Sequence, residues 1–466
     1  MIIRFFRQYI PGSVLLLLLL EALVFSGSVY LGAALRSSDA DFLSIAFFLY
    51  FLPRSLLFAA TMTMGMMLFR LYDYWQWSGG IQYMLPRLGA ALTLGFVAMT
   101  LIFYIFPDTL MGRGVFMVAY LTSALLVTLL RLVVFRWANF EGLKRRVLVL
   151  GTGSRAARIG AMFKSGTVSH RLKGVGYLSL NGTHHFVDRS VILSDKGRLS
   201  DIARQHNVRE IVVAIRDRRG GLPLAELLEC RLIGIRITEL SAFFERETGQ
   251  LPVESLNAGW IIHAEGFENG IARDISKRIF DLLASSLLLI VAFPVMLVAA
   301  FLIYLESGRP VLYRQERVGQ NDDVFTIYKF RSMRTDAEKA GKPQWAAAND
   351  DRITRVGRVL RKLRIDELPQ IFNVFRGDMS FVGPRPERPF FVDQLANEIP
   401  YYKYRHSVKP GITGWAQVRY AYGASIEDSV EKLQYDLYYV KNHGLFLDLL
   451  ILIATVQVVL FGKGAR

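Results

Sequence analysis

Cysteine is almost missing from this chain: Cys230 is the only one in 466 residues. Disulfides within the chain and cysteine-rich metal sites are thereby excluded, and a lone Cys in an α/β pattern reads as a small core residue. A zinc-ligand set, a helix-turn-helix and a ribonucleoprotein motif are absent as well. The 56 Lys and Arg against 40 Asp and Glu, a formal charge of +16, therefore come without nucleic-acid machinery. Much of that charge flanks apolar runs, where membrane topology accounts for it. Lipid headgroups and phosphorylated substrates are left as the anionic partners, and no nucleic acid is expected. No Tyr-x-x-x-Lys spacing occurs, which removes the proton and hydride chemistry of nucleotide-sugar dehydratases.

Apolar sequence is what the chain has in excess, at 52%. Four runs, Ser13 to Leu35, Phe42 to Phe69, Leu88 to Phe106 and Val115 to Val134, are each near the roughly 20 residues that span a bilayer. The first is too long and uninterrupted for a signal peptide. Residues 1–140 are thus expected to form a bundle of four transmembrane helices. Arg4 and Arg7, Arg70 and Arg87, and Arg136 with Lys144 to Arg146 put the N-terminus and everything after the fourth span on the cytoplasmic side. Glu21 and Arg54, next to Pro53, are unusual at membrane depth. They are expected to pair with each other, face the bundle interior or mark a broken helix near the interface.

Residues 141–265 read as a Rossmann-like, parallel-sheet cytoplasmic domain. Val147 to Leu150 is a short apolar strand, Gly151, Gly153 and Ala156 form a GxGxxA turn, and further apolar runs at 174–180, 210–215 and 235–240 alternate with helical patterns. No acidic residue ends the second strand where a ribose would be held. The turn is therefore expected to serve packing and the domain to regulate or dimerise, the alternative being a domain that binds a nucleotide or sugar nucleotide.

Ile279 to Leu305 is 27 residues long, with Pro294 in its middle and basic clusters on both sides. Crossing the bilayer would place one cluster outside. A re-entrant helix broken at Pro294 keeps both in the cytoplasm.

The stretch that carries chemistry is Asp366 to Pro386, DELPQIFNVFRGDMSFVGPRP. Leu368, Ile371, Phe372 and Phe375 recur at i, i+3, i+4, i+7 and predict an α-helix with one buried stripe, with Pro369 in its first turn. Asp366 and Glu367 then sit at its N-terminus, where the macrodipole favours the ionised form. Before them, Asp351 to Arg364 predicts a basic amphipathic helix lined by Ile353, Val356, Leu360 and Leu363, suited to an anionic membrane surface. The acidic pairs Asp322–Asp323 and Asp350–Asp351 have turn and cap roles open to them without metal. Leu445 to Phe461 is short for a span and carries Asp448, which predicts an interfacial or packed helix. Tyr435 and Asp436 just before it are within reach of the site.

From about Asp274 to Arg466 the chain resembles the bacterial polyprenyl-phosphate hexose-1-phosphate transferases, the monotopic phosphoglycosyl transferases. The matching stretches are KRIFD at Lys277 to Asp281, QERVG at Gln315 to Gly319, YKFRSM at Tyr328 to Met333, DELPQ at Asp366 to Gln370, GDMSFVGPRP at Gly377 to Pro386 and KPGITGWAQV at Lys409 to Val418. The whole chain resembles the long members that start exopolysaccharide or O-antigen assembly. That likeness implies a membrane protein of α + α/β class with a mainly α monotopic catalytic domain at 272–466, containing the re-entrant helix 279–305, in the bacterial inner membrane and facing the cytoplasm. It implies Asp366 as the nucleophile toward a UDP-sugar, Glu367 as a ligand of Mg²⁺, Arg361 and Arg385 as grips on phosphate, and Lys329 as a further phosphate contact. Undecaprenyl phosphate would be the acceptor, membrane lipids the surroundings, and a homodimer is expected by analogy. The alternative is a catalytically inactive scaffold or sensor of polysaccharide assembly.

Overall fold

The computed structural model describes residues 2–5, 8–36, 44–72, 81–138, 144–165, 172–179, 186–193, 197–215, 222–253, 256, 270–334, 351–420, 423 and 425–461. Asp350 and the expected domain boundaries at 141 and 265 lie outside them. The chain divides into two compact units, one spanning residues 9–248 and the other 249–466. Residues 249–253, expected with the sheet, pack in the second unit: Leu251 N–H donates to Gln434 O at 3.0 Å and Trp415 Nε1 to Gly249 O at 2.9 Å.

Four long helices open the first unit: α1 (Gly12–Arg36), α2 (Ile45–Leu68), α3 (Ile81–Ile105) and α4 (Arg113–Ala138). Each is long and apolar enough to cross a membrane. α1 packs on α2 and α4, α2 on α3, and α3 on α4. Close approach is made at small residues, as membrane helices require. A Cβ on Gly65 would stand 2.8 Å from Ala91 O, and one on Gly32 2.8 Å from Val115 O. α3 starts seven residues before the expected run, so Arg87 lies on the helix rather than in a loop.

Glu21 and Arg54 do not pair. Glu21 is fully buried and meets Arg131 of α4 at 2.7 Å, with Tyr72 Oη donating to its other oxygen at 2.5 Å. Arg54 instead donates to the carbonyls of Tyr50, Asp108 and Leu110 and stacks on the Tyr50 ring. Arg131 lies inside the apolar run Val115 to Val134, where a charge needs a carboxylate at similar depth. Glu21→Ala would leave Arg131 buried without its counter-charge, so a loss of roughly 3–5 kcal/mol is expected, read by thermal unfolding in detergent. Glu21→Leu combined with Arg131→Leu should recover most of it.

The first unit continues with a four-stranded parallel sheet: β1 (Arg145–Leu150), β2 (Leu172–Leu178), β3 (Glu210–Val213) and β4 (Arg236–Glu239), in the order β2-β1-β3-β4. Helices α5 (Ser154–Lys164), α6 (Leu199–Gln205), α7 (Leu224–Leu232) and α8 (Leu240–Thr248) connect and follow the strands. β1 and β3 are buried along nearly their whole length, as central parallel strands are. Gly151 ends β1 at φ +118°, and its Cβ would stand 3.2 Å from Ala214 O, so this position needs glycine for close packing, whereas Gly153 has open space around it.

In the second unit α9 (Ile271–Ser307) is helical over 37 residues and runs through Pro294 without leaving the helix. By length and composition it is also long enough to cross a membrane, and a proline inside a helix can kink its axis without ending it. A proline removes one backbone donor, and the buried Ala292, Met296, Ala299 and Ile303 on both sides keep the chain packed against Phe330 and Leu360. Asp281 of α9 is also buried. It accepts from Lys277 Nζ, Ser380 Oγ and Phe381 N–H at 3.0–3.1 Å, and Lys277 also meets Asp448 at 3.0 Å. Asp448 belongs to the C-terminal helix Leu445–Phe461, whose Leu447 and Ile451 are buried, so that helix is packed as expected.

Candidate active site

Two β-strands and two short helical segments build the site. β5 (Leu312–Val318) and β6 (Val324–Phe330) form an antiparallel hairpin that displays Lys329. Its turn holds Asn321 and Asp322 at positive φ, the turn role expected of Asp322, whose Oδ1 lies 2.6 Å from His406 Nδ1.

The basic helix α10 (Arg355–Lys362) is shorter than Asp351 to Arg364. Ile353 makes a bridge to Met333 instead, Arg364 turns left-handed at φ +57°, and Leu363 is exposed rather than part of the buried stripe. Glu306 at the end of α9 anchors this helix by accepting from Arg355 and Val356 N–H at 2.8 and 3.0 Å.

Asp366 and Glu367 do not open an α-helix. They lie in a 3₁₀ segment, Ile365–Gln370, and α11 (Ile371–Arg376) begins only afterwards. The turn before the segment and the proline within it explain the difference. Arg364 turns left-handed just before the segment, and Pro369 has no N–H to bond back to Ile365 as an α-helix from that residue would need, while Phe372 of the expected stripe is exposed. Asn373 ties α11 to β6: its Oδ1 accepts from Tyr328 N–H at 3.2 Å and its Nδ2 donates to Thr326 O at 2.7 Å. Arg278 of α9 caps the far end on the Val374 and Phe375 carbonyls.

This framework brings Glu367, Lys329 and Arg385 into direct contact. Glu367 Oε1 accepts from Arg385 Nη2 at 2.6 Å and from Lys329 Nζ at 2.9 Å, whereas Oε2 has only long contacts, 3.4 Å to Arg385 Nη1 and 4.0 Å to Arg364. Burial opposes the Glu367 charge, but Arg385 and Lys329 outweigh it and hold the carboxyl well below the usual carboxylate range. Lys329 is pushed down by burial against the pull of Glu367.

Asp366 is 9% exposed, and its Oδ1 is buried without a hydrogen-bond partner. Burial and the neighbouring Glu367 charge push it up to about 6, against Lys329, Arg361 and Arg385. The macrodipole expectation is therefore reversed: the site raises this carboxyl rather than lowering it. Arg361, in the last turn of α10, acts on Asp366 through its field, with no hydrogen bond to it.

Arg385 is braced through its backbone. Four consecutive carbonyls, from Pro384 to Glu387, accept from Gly411 N–H, Arg405, Arg317 and Val318 N–H at 2.8–3.0 Å. The flanking prolines are legible in sequence; Arg317 and Arg405 are not, because they lie 20 or more residues away. Asp436 meets Arg405 at 2.8 Å rather than the carboxylates themselves.

No cluster of three or more His, Cys, Asp or Glu arranged to hold a metal occurs among the described residues. Two oxygens are left for a hard cation, Asp366 Oδ1 and Glu367 Oε2. That set fits Mg²⁺, which takes one or two carboxylates and completes its shell with water and substrate phosphate.

Residues 272–462 match the model of the bacterial sugar transferase family. The chain is 46% identical over 240 residues to the UDP-N-acetylgalactosamine-undecaprenyl-phosphate N-acetylgalactosaminephosphotransferase of Aeromonas hydrophila, covering 52% of this chain and 56% of that protein. It is 43% identical over 188 residues to the UDP-glucose:undecaprenyl-phosphate glucose-1-phosphate transferase of Caulobacter vibrioides, 40% of this chain and 70% of that one. Over 190 residues it is 40% identical to the exopolysaccharide production protein PSS of Rhizobium leguminosarum bv. phaseoli, 39% of this chain and 94% of that relative. Against the Aeromonas protein, the chain thus spans about half the relative's length.

Proposed function

The chain belongs to the bacterial sugar transferase family, and on that premise we propose that it transfers a hexose 1-phosphate from a UDP-sugar to undecaprenyl phosphate, releasing UMP. The observation that carries this reading is the pairing of an unpartnered, buried Asp366 oxygen with a carboxylate neighbour whose Oε1 is already taken by two cations. A carboxylate free of hydrogen bonds is a better nucleophile than one whose lone pairs are occupied.

Asp366 attacks the sugar-bearing phosphorus of the donor. The bond from that phosphorus to the bridging oxygen breaks, and UMP leaves with that oxygen. An aspartyl-phosphosugar remains. An oxygen of undecaprenyl phosphate then attacks the same phosphorus, forms the new pyrophosphate and returns Asp366 as carboxylate. Arg385 and Arg361 hold phosphate oxygens, Arg385 with the planar fork suited to them, and Lys329 fixes Glu367 while adding charge beside the site. Mg²⁺ would be held by Glu367, whose Oε2 has only long contacts, and would neutralise pyrophosphate charge when bound. The catalytic unit faces the cytoplasm at the inner membrane, and the product opens an exopolysaccharide or O-antigen repeat.

The test is purified protein with Mg²⁺, undecaprenyl phosphate and a panel of UDP-hexoses and UDP-N-acetylhexosamines, followed by UMP release. Absence of UMP with every donor sinks the reading. Because Asp366 must be ionised to attack, kcat/KM is expected to rise between pH 5 and 7 with an apparent pKa near 6, a property of the carboxylate pair. A flat profile over that range would show that some other group limits the step.

A further inference from the structure

Helix α14 (Ile426–Asn442), which follows α12 (Pro389–Glu398) and α13 (Trp415–Arg419), carries Asp436, which is 2% exposed. Its Oδ2 meets Arg405 Nη2 at 2.8 Å. The same nitrogen donates to the carbonyl of Arg385 at 2.8 Å, and Nη1 donates to Tyr402 Oη at 2.8 Å. Arg405 is itself buried, at 5% exposure. A guanidinium serves three partners at once because its donors are fixed in one plane. An unpaired buried cation is costly, so the Asp436 carboxylate is what allows Arg405 to stand there. Of the four bonds that pin the carbonyls of residues 384–387, this one is made at Arg385 itself.

We propose that Asp436, acting through Arg405, is a positioning residue that sets where Arg385 meets Glu367 and the donor phosphate. The inference rests on the transfer reaction proposed above. Placement matters because a misplacement of about 1 Å costs on the order of 100-fold in rate.

Arg405→Lys keeps a cation opposite Asp436 and removes the fork. In the full-length protein it is expected to lower UMP release about 100-fold and to raise the donor KM. The effect should largely vanish on an Arg385→Lys background, where the positioned arginine is gone. Asp322→Asn weakens the contact to neighbouring His406 without touching the Arg385 backbone, and should keep wild-type kinetics. Phenylglyoxal modification of Arg385, read by peptide mass spectrometry, reports on that arginine without turnover. It should run several-fold faster in Arg405→Lys than in wild type. If Arg405→Lys does not accumulate, Asp436→Glu, one methylene longer at the same charge, should shift both readouts in the same direction. Equal modification rates, or equal losses on the two backgrounds, overturn the proposal. A wild type that releases no UMP while Arg405→Lys still speeds Arg385 modification supports the brace and overturns the transfer reading instead.

Discussion

Asp366→Asn is expected to stop UMP release almost completely, by roughly four orders of magnitude or more, as loss of a nucleophile does. Incubation of the wild type with a UDP-sugar and no acceptor should add one sugar phosphate to the Asp366 peptide, and Asp366→Asn should add none. Full activity in the variant would remove Asp366 from the nucleophile's place. The amide is nearly the same size, and Asp366 Oδ1 has no hydrogen bond to lose, so the loss should not come from unfolding.

The same substitution should leave stability unchanged or raise it. Asp366 is held at about 6 in the folded chain, above its ordinary 3.8. A carboxyl raised by folding favours the folded state at low pH, and that contribution is lost as pH rises from about 3.8 through 6. At neutral pH the wild type therefore carries a buried charge that the site resists, and Asn removes it. The melting temperature of Asp366→Asn should equal or exceed that of the wild type at pH 7.5 and lose this advantage near pH 4.

The residues in contact at the site were legible because short motifs place them: Glu367 in DELPQ, Arg385 between prolines, Lys329 in YKFRSM. Local geometry was harder to read. The α-helical stripe from Leu368 to Phe375 holds only from Ile371 on, and the left-handed turn at Arg364 that keeps Asp366 and Glu367 in a 3₁₀ segment has no mark in the apolar pattern. The apolar runs gave the long helices, yet apolarity alone hid Arg131, whose meaning depends on Glu21 more than 100 residues away. Pro294 marks where a helix is weakened, and tertiary packing carries α9 past it. The brace behind Arg385 joins residues 317, 385, 405 and 436, and no local pattern encodes such long-range partnerships.

Glu367→Gln is the counterpart that separates two adjacent carboxylates by the sign of their effect on stability. Glu367 Oε1 receives both Arg385 and Lys329, so the amide leaves two partly buried cations without their counter-charge. A cost of roughly 1–3 kcal/mol is expected, tempered by the 30% exposure of the Arg385 side chain. Because folding holds Glu367 well below its ordinary 4.5, its stabilisation is complete above that value and is lost as pH falls through the folded value. Glu367→Gln should therefore melt lower than wild type at neutral pH, with the gap closing in acid, the reverse of Asp366→Asn. Activity should fall about a thousandfold, the scale of losing one preorganised electrostatic group, because Arg385 loses the partner that aims its fork and the site loses one of two oxygens open to Mg²⁺. Adding excess Mg²⁺ should not restore it, since the displaced Arg385 is the larger loss. A Glu367→Gln protein as stable as wild type would mean that Arg385 and Lys329 find other partners, and the division of roles between the two carboxylates would fall.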